Sequence, residues 1–159
     1  MSDSSEPAVQ SDSPDYDPRS GEIVVGLQRL LGYRVGAWSD GFCRMVLPLD
    51  ERHLNRFSGV HGGIYATLAD AAGGFSGCYP DTPGLRRRCV TLSLTTNFLS
   101  QPGDGLLAAE AQVRGGGRSI FFSDIEIRDG GGLLLCTASG TFRYREPLPA
   151  RPGEGPPPA

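Results

Sequence analysis

The chain has 159 residues, 21% of them charged, and a formal net charge of -3. That length suits one domain with a sizeable core, and the charge balance gives no reason to expect nucleic acid as a partner. No run of about 18 apolar residues exists, so a transmembrane helix is excluded; the polar, acidic start, Met1-Ser-Asp-Ser-Ser-Glu6, lacks the basic and apolar regions of a signal peptide.

Residues 1–19 are Ser, Asp, Pro and Glu with almost nothing to bury, and are expected to be disordered. Ser20 to Gly32 reads as a short helix with Ile23, Leu27, Leu30 and Leu31 on one face. Phe42 to Leu49 reads as a strand, because Cys43, Met45, Leu47 and Leu49 alternate. Asp50 to Gly59 is a polar loop, in which His53 is an ordinary loop residue. From His61 to about Cys78 runs the one long helix, rich in Ala and Gly and ended by Tyr79-Pro80-Asp-Thr-Pro83-Gly84. Four strands follow: Cys89 to Leu99, Leu106 to Arg114, Arg118 to Arg128 and Leu133 to Arg143, separated by Gly-rich turns. Pro147 to Ala159 is Pro- and Gly-rich and is expected to be a flexible tail. The folded domain is therefore expected over residues 20–146. Its helices are not interleaved between strands, so the class is α+β.

Cys43, Cys78, Cys89 and Cys136 form no C-x-x-C pair and have no histidine at zinc-like spacing. Each lies among apolar residues, as structural thiols do in a reducing compartment, so a cytoplasmic location is expected. Nothing implies a metal or a redox cofactor.

The densest chemistry lies in Asn55-Arg-Phe-Ser-Gly-Val-His61-Gly62-Gly63 and in Asp70, which follows within the long helix. Glycines at a helix start let another molecule approach unpaired first-turn N–H groups. Such an end favours negative charge, including that developing on a carbonyl oxygen under attack. Asp70 is an acid among apolar neighbours, where a bare carboxylate is costly to bury. Together they suggest acyl transfer or hydrolysis.

Asn55, the Gly59-Val-His-Gly-Gly63 turn, Asp70, Thr91 and Arg118 together resemble the phenylacetate-pathway type of hotdog acyl-CoA thioesterase. The resemblance covers roughly Leu49 to Phe142. Many relatives carry Ser where this chain has Thr91, and the hydroxyl is retained. The Asp-x-Asn pattern of the other common hotdog type and the loop motif of the hydratase relatives are both absent. The resemblance implies a hotdog fold, a long central helix wrapped by a curved antiparallel sheet. It implies hydrolysis of an acyl-CoA, with coenzyme A only as part of the substrate. Asp70 is then general base or nucleophile, Gly62 the oxyanion donor with Asn55 beside it, and Thr91 the holder of the water. His61 either fixes the loop or moves a proton. Gly63 is expected to contact substrate. Arg118, Arg87 and Arg88 either meet the phosphates of coenzyme A or sit in solvated loops. Trp38, Phe57 and Phe75 either line an acyl pocket or pack in the core. The rival readings are a non-catalytic acyl-thioester binding module and a thioesterase for carrier-protein-bound acyl groups.

Gly62 and Asp70 are eight residues apart, about 12 Å of axial rise on one helix. One helix therefore cannot set both around one carbonyl, whereas two antiparallel copies can. A homodimer with shared sites is expected, with Ala66, Ala69 and Gly73 letting the helices approach. The resemblance implies the same, often as a homotetramer built from two dimers.

Overall fold

The computed structural model describes residues 16–82, 84–151 and 153–155. The expectations for residues 1–15 and 156–159 lie outside these.

A two-stranded ribbon, β1 (Tyr16–Asp17) and β2 (Glu22–Ile23), leads to a short helix α1 (Gly26–Leu31). The main sheet is built from β3 (Arg34–Ser39), β4 (Phe42–Pro48), β5 (Leu85–Phe98), β6 (Leu106–Gly116), β7 (Ile120–Asp129) and β8 (Leu134–Pro149). Its order is β3-β4-β6-β7-β8-β5, and every neighbouring pair is antiparallel. The sheet is strongly curled, and the long helix α2 (Gly62–Ser76) packs in its concavity. The expected long helix wrapped by a curved sheet is what the chain forms.

The core is where α2 meets that sheet. Ile64, Tyr65, Leu68, Ala69 and Ala72 of α2 pack among Met45, Leu47, Leu107, Ile125, Ile127 and Leu135. Two glycines set the closeness of this packing. A Cβ on Gly73 would lie 2.6 Å from Cζ of Phe142, and one on Gly77 would run into the Phe121 ring. The two rings stack at 5.1 Å between centroids beneath the end of the helix. Gly73 and Ala69 are thus used against the chain's own sheet, not kept free for a second helix as expected. The face of α2 that stays open carries Gly63, Asp70 and, half-buried, Ala66, Thr67 and Gly74.

Three further expectations change. The helix expected over Ser20 to Gly32 shrinks to α1, because Gly26 has a positive φ of 56° at its start and Ile23 pairs in β2. Leu27 and Leu30 are exposed at 53% and 62%, so of the expected apolar face within α1 only Leu31 packs against the core. β3 has too little alternation to be read as a strand, and is formed by pairing with β4. The ordered chain also extends past both expected limits. Asp17 is buried and its carboxylate accepts from the Arg19 and Val35 amides. At the other end β8 continues to Pro149, and residues beyond it are tied down by Glu154. The Glu154 carboxylate accepts from the Arg86 guanidinium at 2.8 and 2.9 Å and from the Arg151 amide at 2.8 Å.

Candidate active site

The loop before α2 is built on its own side chains. The Asn55 carbonyl oxygen accepts from the amides of Phe57 at 2.8 Å and Gly59 at 3.3 Å. The turn it closes contains Ser58 at φ 63°, the one non-glycine residue with positive φ among the described residues. Asn55 is therefore a turn residue, and its NH2 group is the part left for other duties. His61 is the N-cap of α2: its Nδ1 accepts from the Gly63 amide at 2.9 Å. That bond occupies Nδ1, which is then not available as a base. It also occupies the Gly63 N–H, so that donor is not free for a substrate oxygen. Gly62 is the first residue of α2.

Two residues passed over in the sequence hold this loop. Gln101 follows β5, and its Oε1 accepts from the Val60 amide at 2.8 Å. Read alone it sits in a Pro-Gly turn, with no local sign of its partner 41 residues away. His53 is fully buried, not an ordinary loop residue. Its Nδ1 accepts from the Asp50 amide at 2.9 Å, its Nε2 bonds to the Leu31 carbonyl at 2.8 Å, and its own carbonyl accepts from the His61 amide at 2.9 Å.

Asp70 sits two turns further along α2. Thr91 of β5 donates to its carboxylate at 2.5 Å. This pairing depends on a bulge. Cys89 and Thr91 both face α2, the first donating to the Gly74 carbonyl at 3.7 Å. The register of β5 against β8 then shifts between Thr91 and Ser93. Beyond the shift it is Leu94 that packs on the core and Phe98 that lies beside Gly62. Strict alternation would have turned Thr91 and Leu94 to opposite faces. Asp70 is exposed within one chain, contrary to the burial expected for it. Tyr33 lies near it; burial first, and then the charge of Asp70, push the phenol's pKa up, so it stays protonated.

Beside Asp70 and Thr91 opens a groove of about 490 Å³ walled by Trp38, Phe75, Cys78 and Cys89. The Trp38 indole donates to the Phe75 carbonyl at 2.8 Å and its ring lies 5.0 Å from that of Phe75. Phe57 takes no part: it is 77% exposed at the loop tip, under the Arg56 guanidinium.

Arg87 and Arg88 line the mouth of this groove and also a second hollow of about 400 Å³, shared with Arg118, Arg143 and Arg145. The sequence separates these arginines; the pairings Val90↔Arg143 and Arg88↔Arg145 bring them together. Directly paired residues share a sheet face, so Arg88, Arg143 and Arg145 lie on the face away from α2. Arg87 stacks over the Tyr144 ring at 4.8 Å. Arg86 of the same run is committed elsewhere, to Glu154.

The candidate residues thus form three groups: Asn55, His61, Gly62 and Gly63 at the start of α2; Asp70 and Thr91 at its middle; and the arginines around the edge of β5.

Residues 57–136 match the family model described as Thioesterase superfamily. The thioesterase HI1161 of Haemophilus influenzae is similar, at 26% identity and a TM-score of 0.67, over 75% of this chain and 82% of that one. A mutant thioesterase PA1618 of Pseudomonas aeruginosa is 28% identical at a TM-score of 0.67, over 77% of this chain and 87% of its own. The PaaI protein of the E. coli phenylacetic acid degradation operon is 25% identical at a TM-score of 0.65, over 75% and 83%. The chain belongs to the Thioesterase superfamily and has the hotdog fold of its PaaI-like members. Its chemistry is thioester hydrolysis. No helix among the described residues is long and apolar enough to cross a membrane.

Proposed function

We propose that this protein hydrolyses acyl-CoA thioesters, with Asp70 as general base or nucleophile and the site shared between two copies of the chain. The observation that carries the reading is the Asp70 carboxylate, oriented by Thr91 at 2.5 Å on the face of α2 that the chain's own sheet leaves open. A carboxylate so placed is positioned for a reacting group that arrives from outside the chain. The thioester carbonyl would rest at the α2 N-terminus of one copy, accepting from the Gly62 N–H with the Asn55 NH2 beside it. Asp70 of the second copy would take a proton from the attacking water, or attack the carbonyl itself and be released by water. Either route collapses to a carboxylic acid and the thiol of coenzyme A.

The arginine hollow supports the coenzyme A half of the reading. Five guanidinium groups around one depression suit phosphate oxygens, on a chain whose net charge is -3. Asp70→Asn keeps shape and removes the base or nucleophile, so kcat should fall about 10²-fold or more. The same measurements on an acyl-CoA and its matching acyl-pantetheine test the carrier. Arg118→Ala should raise KM for the acyl-CoA alone, because a remote contact contributes uniform binding, and this effect should fade as salt rises. Activity of Asp70→Asn within a few-fold of the original overturns the catalytic role. Equal effects of Arg118→Ala on both substrates overturn the nucleotide role and assign Arg118 to the fold or the reacting centre.

A further inference from the structure

We propose that Cys78 and Cys89 form a dithiol oxidation site, which takes a hydroperoxide as co-reactant and closes to a disulfide beside the Asp70 carboxylate. Neither thiol has a part in the hydrolysis described above. Cys78 follows the last turn of α2, its amide donating to the Phe75 carbonyl at 3.0 Å. Cys89 stands across from it on β5, two residues before Thr91. The Cys89 sulfur fits there because residue 74 is glycine: a Cβ at that position would lie 3.3 Å from it. Both side chains wall the groove that holds Asp70 and Thr91, so a small peroxide that reaches the carboxylate reaches the sulfurs.

The two thiols interact with each other, and unequally. The Cys89 S–H donates to the Gly74 carbonyl at 3.7 Å, one turn of chain before Cys78. The interaction between the two thiols lowers the pKa of Cys89 and pushes that of Cys78 up, and for Cys89 it outweighs burial and the Asp70 charge, which work against the thiolate. Cys89 is also the more open of the two, half-buried where Cys78 is 7% exposed. Reactivity follows thiolate character and access. Cys89 is therefore the attacking thiol and Cys78 the resolving one. Cys43 and Cys136 are both fully buried, with pKa values raised first by burial, and stay outside this chemistry.

In the first step the Cys89 thiolate attacks one peroxide oxygen. The O–O bond breaks, Cys89 becomes a sulfenic acid, and the leaving oxygen takes protons to become water or an alcohol. In the second step the Cys78 sulfur attacks the sulfenic sulfur and a water leaves, carrying the Cys78 proton. The two thiols lose two electrons in all, and the two peroxide oxygens gain them. A disulfide needs Cα atoms about 4.4–6.8 Å apart in a narrow geometry. Closing it fixes β5 at Cys89 to the end of α2, two residues before the Thr91 that bonds Asp70.

The test uses the full-length protein with a few equivalents of hydrogen peroxide at neutral pH, alkylated after denaturation. The oxidised chain should carry two alkyl groups where the reduced chain carries four, and before alkylation its mass should be lower by two hydrogens. A non-reducing tryptic map should join the Cys78 and Cys89 peptides, which the intervening arginines separate. Thioester turnover should drop several-fold and return with dithiothreitol. In Cys78→Ser the link should be absent and dimedone should label Cys89. No linked peptide, a link between other cysteines, or no dimedone on Cys89 in Cys78→Ser overturns the site. A link that leaves turnover unchanged overturns its coupling to the active site. The mass measurements do not depend on Asp70, so they stand or fall apart from the proposed mechanism.

Discussion

Replacing Gln101 with Met keeps the side chain's length and removes the acceptor that holds the Val60 amide. Val60 is 3% exposed, so its N–H is left buried without a partner, a loss of about 1–3 kcal/mol. The loop it steadies carries Asn55, and the bond sits one residue before the N-cap of α2. Gln101→Met should lower kcat about tenfold, the effect of roughly 1.4 kcal/mol lost from the transition state, with a smaller change in KM. Gln101→Glu keeps an acceptor oxygen and should retain most of kcat. Equal losses in both variants, or a change in melting temperature alone, would assign Gln101 to stability only. This residue marks where reading the sequence stops. His61, Gly62 and Asp70 stand out because their types are chemically unusual where they occur, whereas Asn55, ordinary in a turn, and Thr91, ordinary in a strand, are marked only by the family resemblance. A glutamine in a polar turn does not, since its partner is brought to it by the tertiary fold.

At the scale of elements, the long helix and the meander of strands are legible because each has a clear period. α2 also announces its tightness through its glycines, but not what they face. Gly73 and Ala69 look available to a neighbouring helix, whereas the fold places Phe142 and the sheet against them. Gly77→Ala tests that packing. The added methyl meets the Phe121 ring under the end of α2, and overpacking of this kind costs about 1–3 kcal/mol. A lower denaturation midpoint with unchanged m-value should result; a midpoint equal to the original would mean that the ring moves aside freely. Apolar spacing alone carries a helix across Gly26, whose positive φ instead marks the start of α1. In the described part of the C-terminal stretch, Pro and Gly hide the burial of one carboxylate, Glu154, which holds Arg86 and the Arg151 amide. A single ion pair with a distant arginine has no signature in local composition.

For the whole molecule, the telling element is β5. It is an edge strand of 14 residues, and from Cys89 to Leu99 it carries no charge. Val90, Leu92 and Phe98 are exposed at 41%, 52% and 55%. Free-standing edges are normally short, charged or covered, so the shared-site proposal places this one against a second copy. A second copy meeting it across a two-fold axis would bring the start of one α2 towards the middle of the other. Mixing an Asp70→Asn chain with an Asn55→Ala chain, under conditions that exchange subunits, tests this arrangement. The mixed dimer has one site with both defects and one with neither, so activity should reappear. Proven exchange without recovery would rule out the shared site.

The bulge after Thr91 has a further consequence. A strand is a message with a two-letter frame, and at Leu92 this one carries a frameshift that the fold depends on. Upstream, odd-numbered residues speak to the helix; downstream, even-numbered ones do. Forcing the strand to run regularly at its present length would turn the hydroxyl of residue 91 or the anchor at Leu94 outward. Dropping Leu92 itself would not: Thr91 and Leu94 would then stand two letters apart, opposite Phe142 and Gly140, and both would still face the helix. Leu92 is thus a letter the message reads around, and the pairing of Thr91 with Asp70 should survive its deletion.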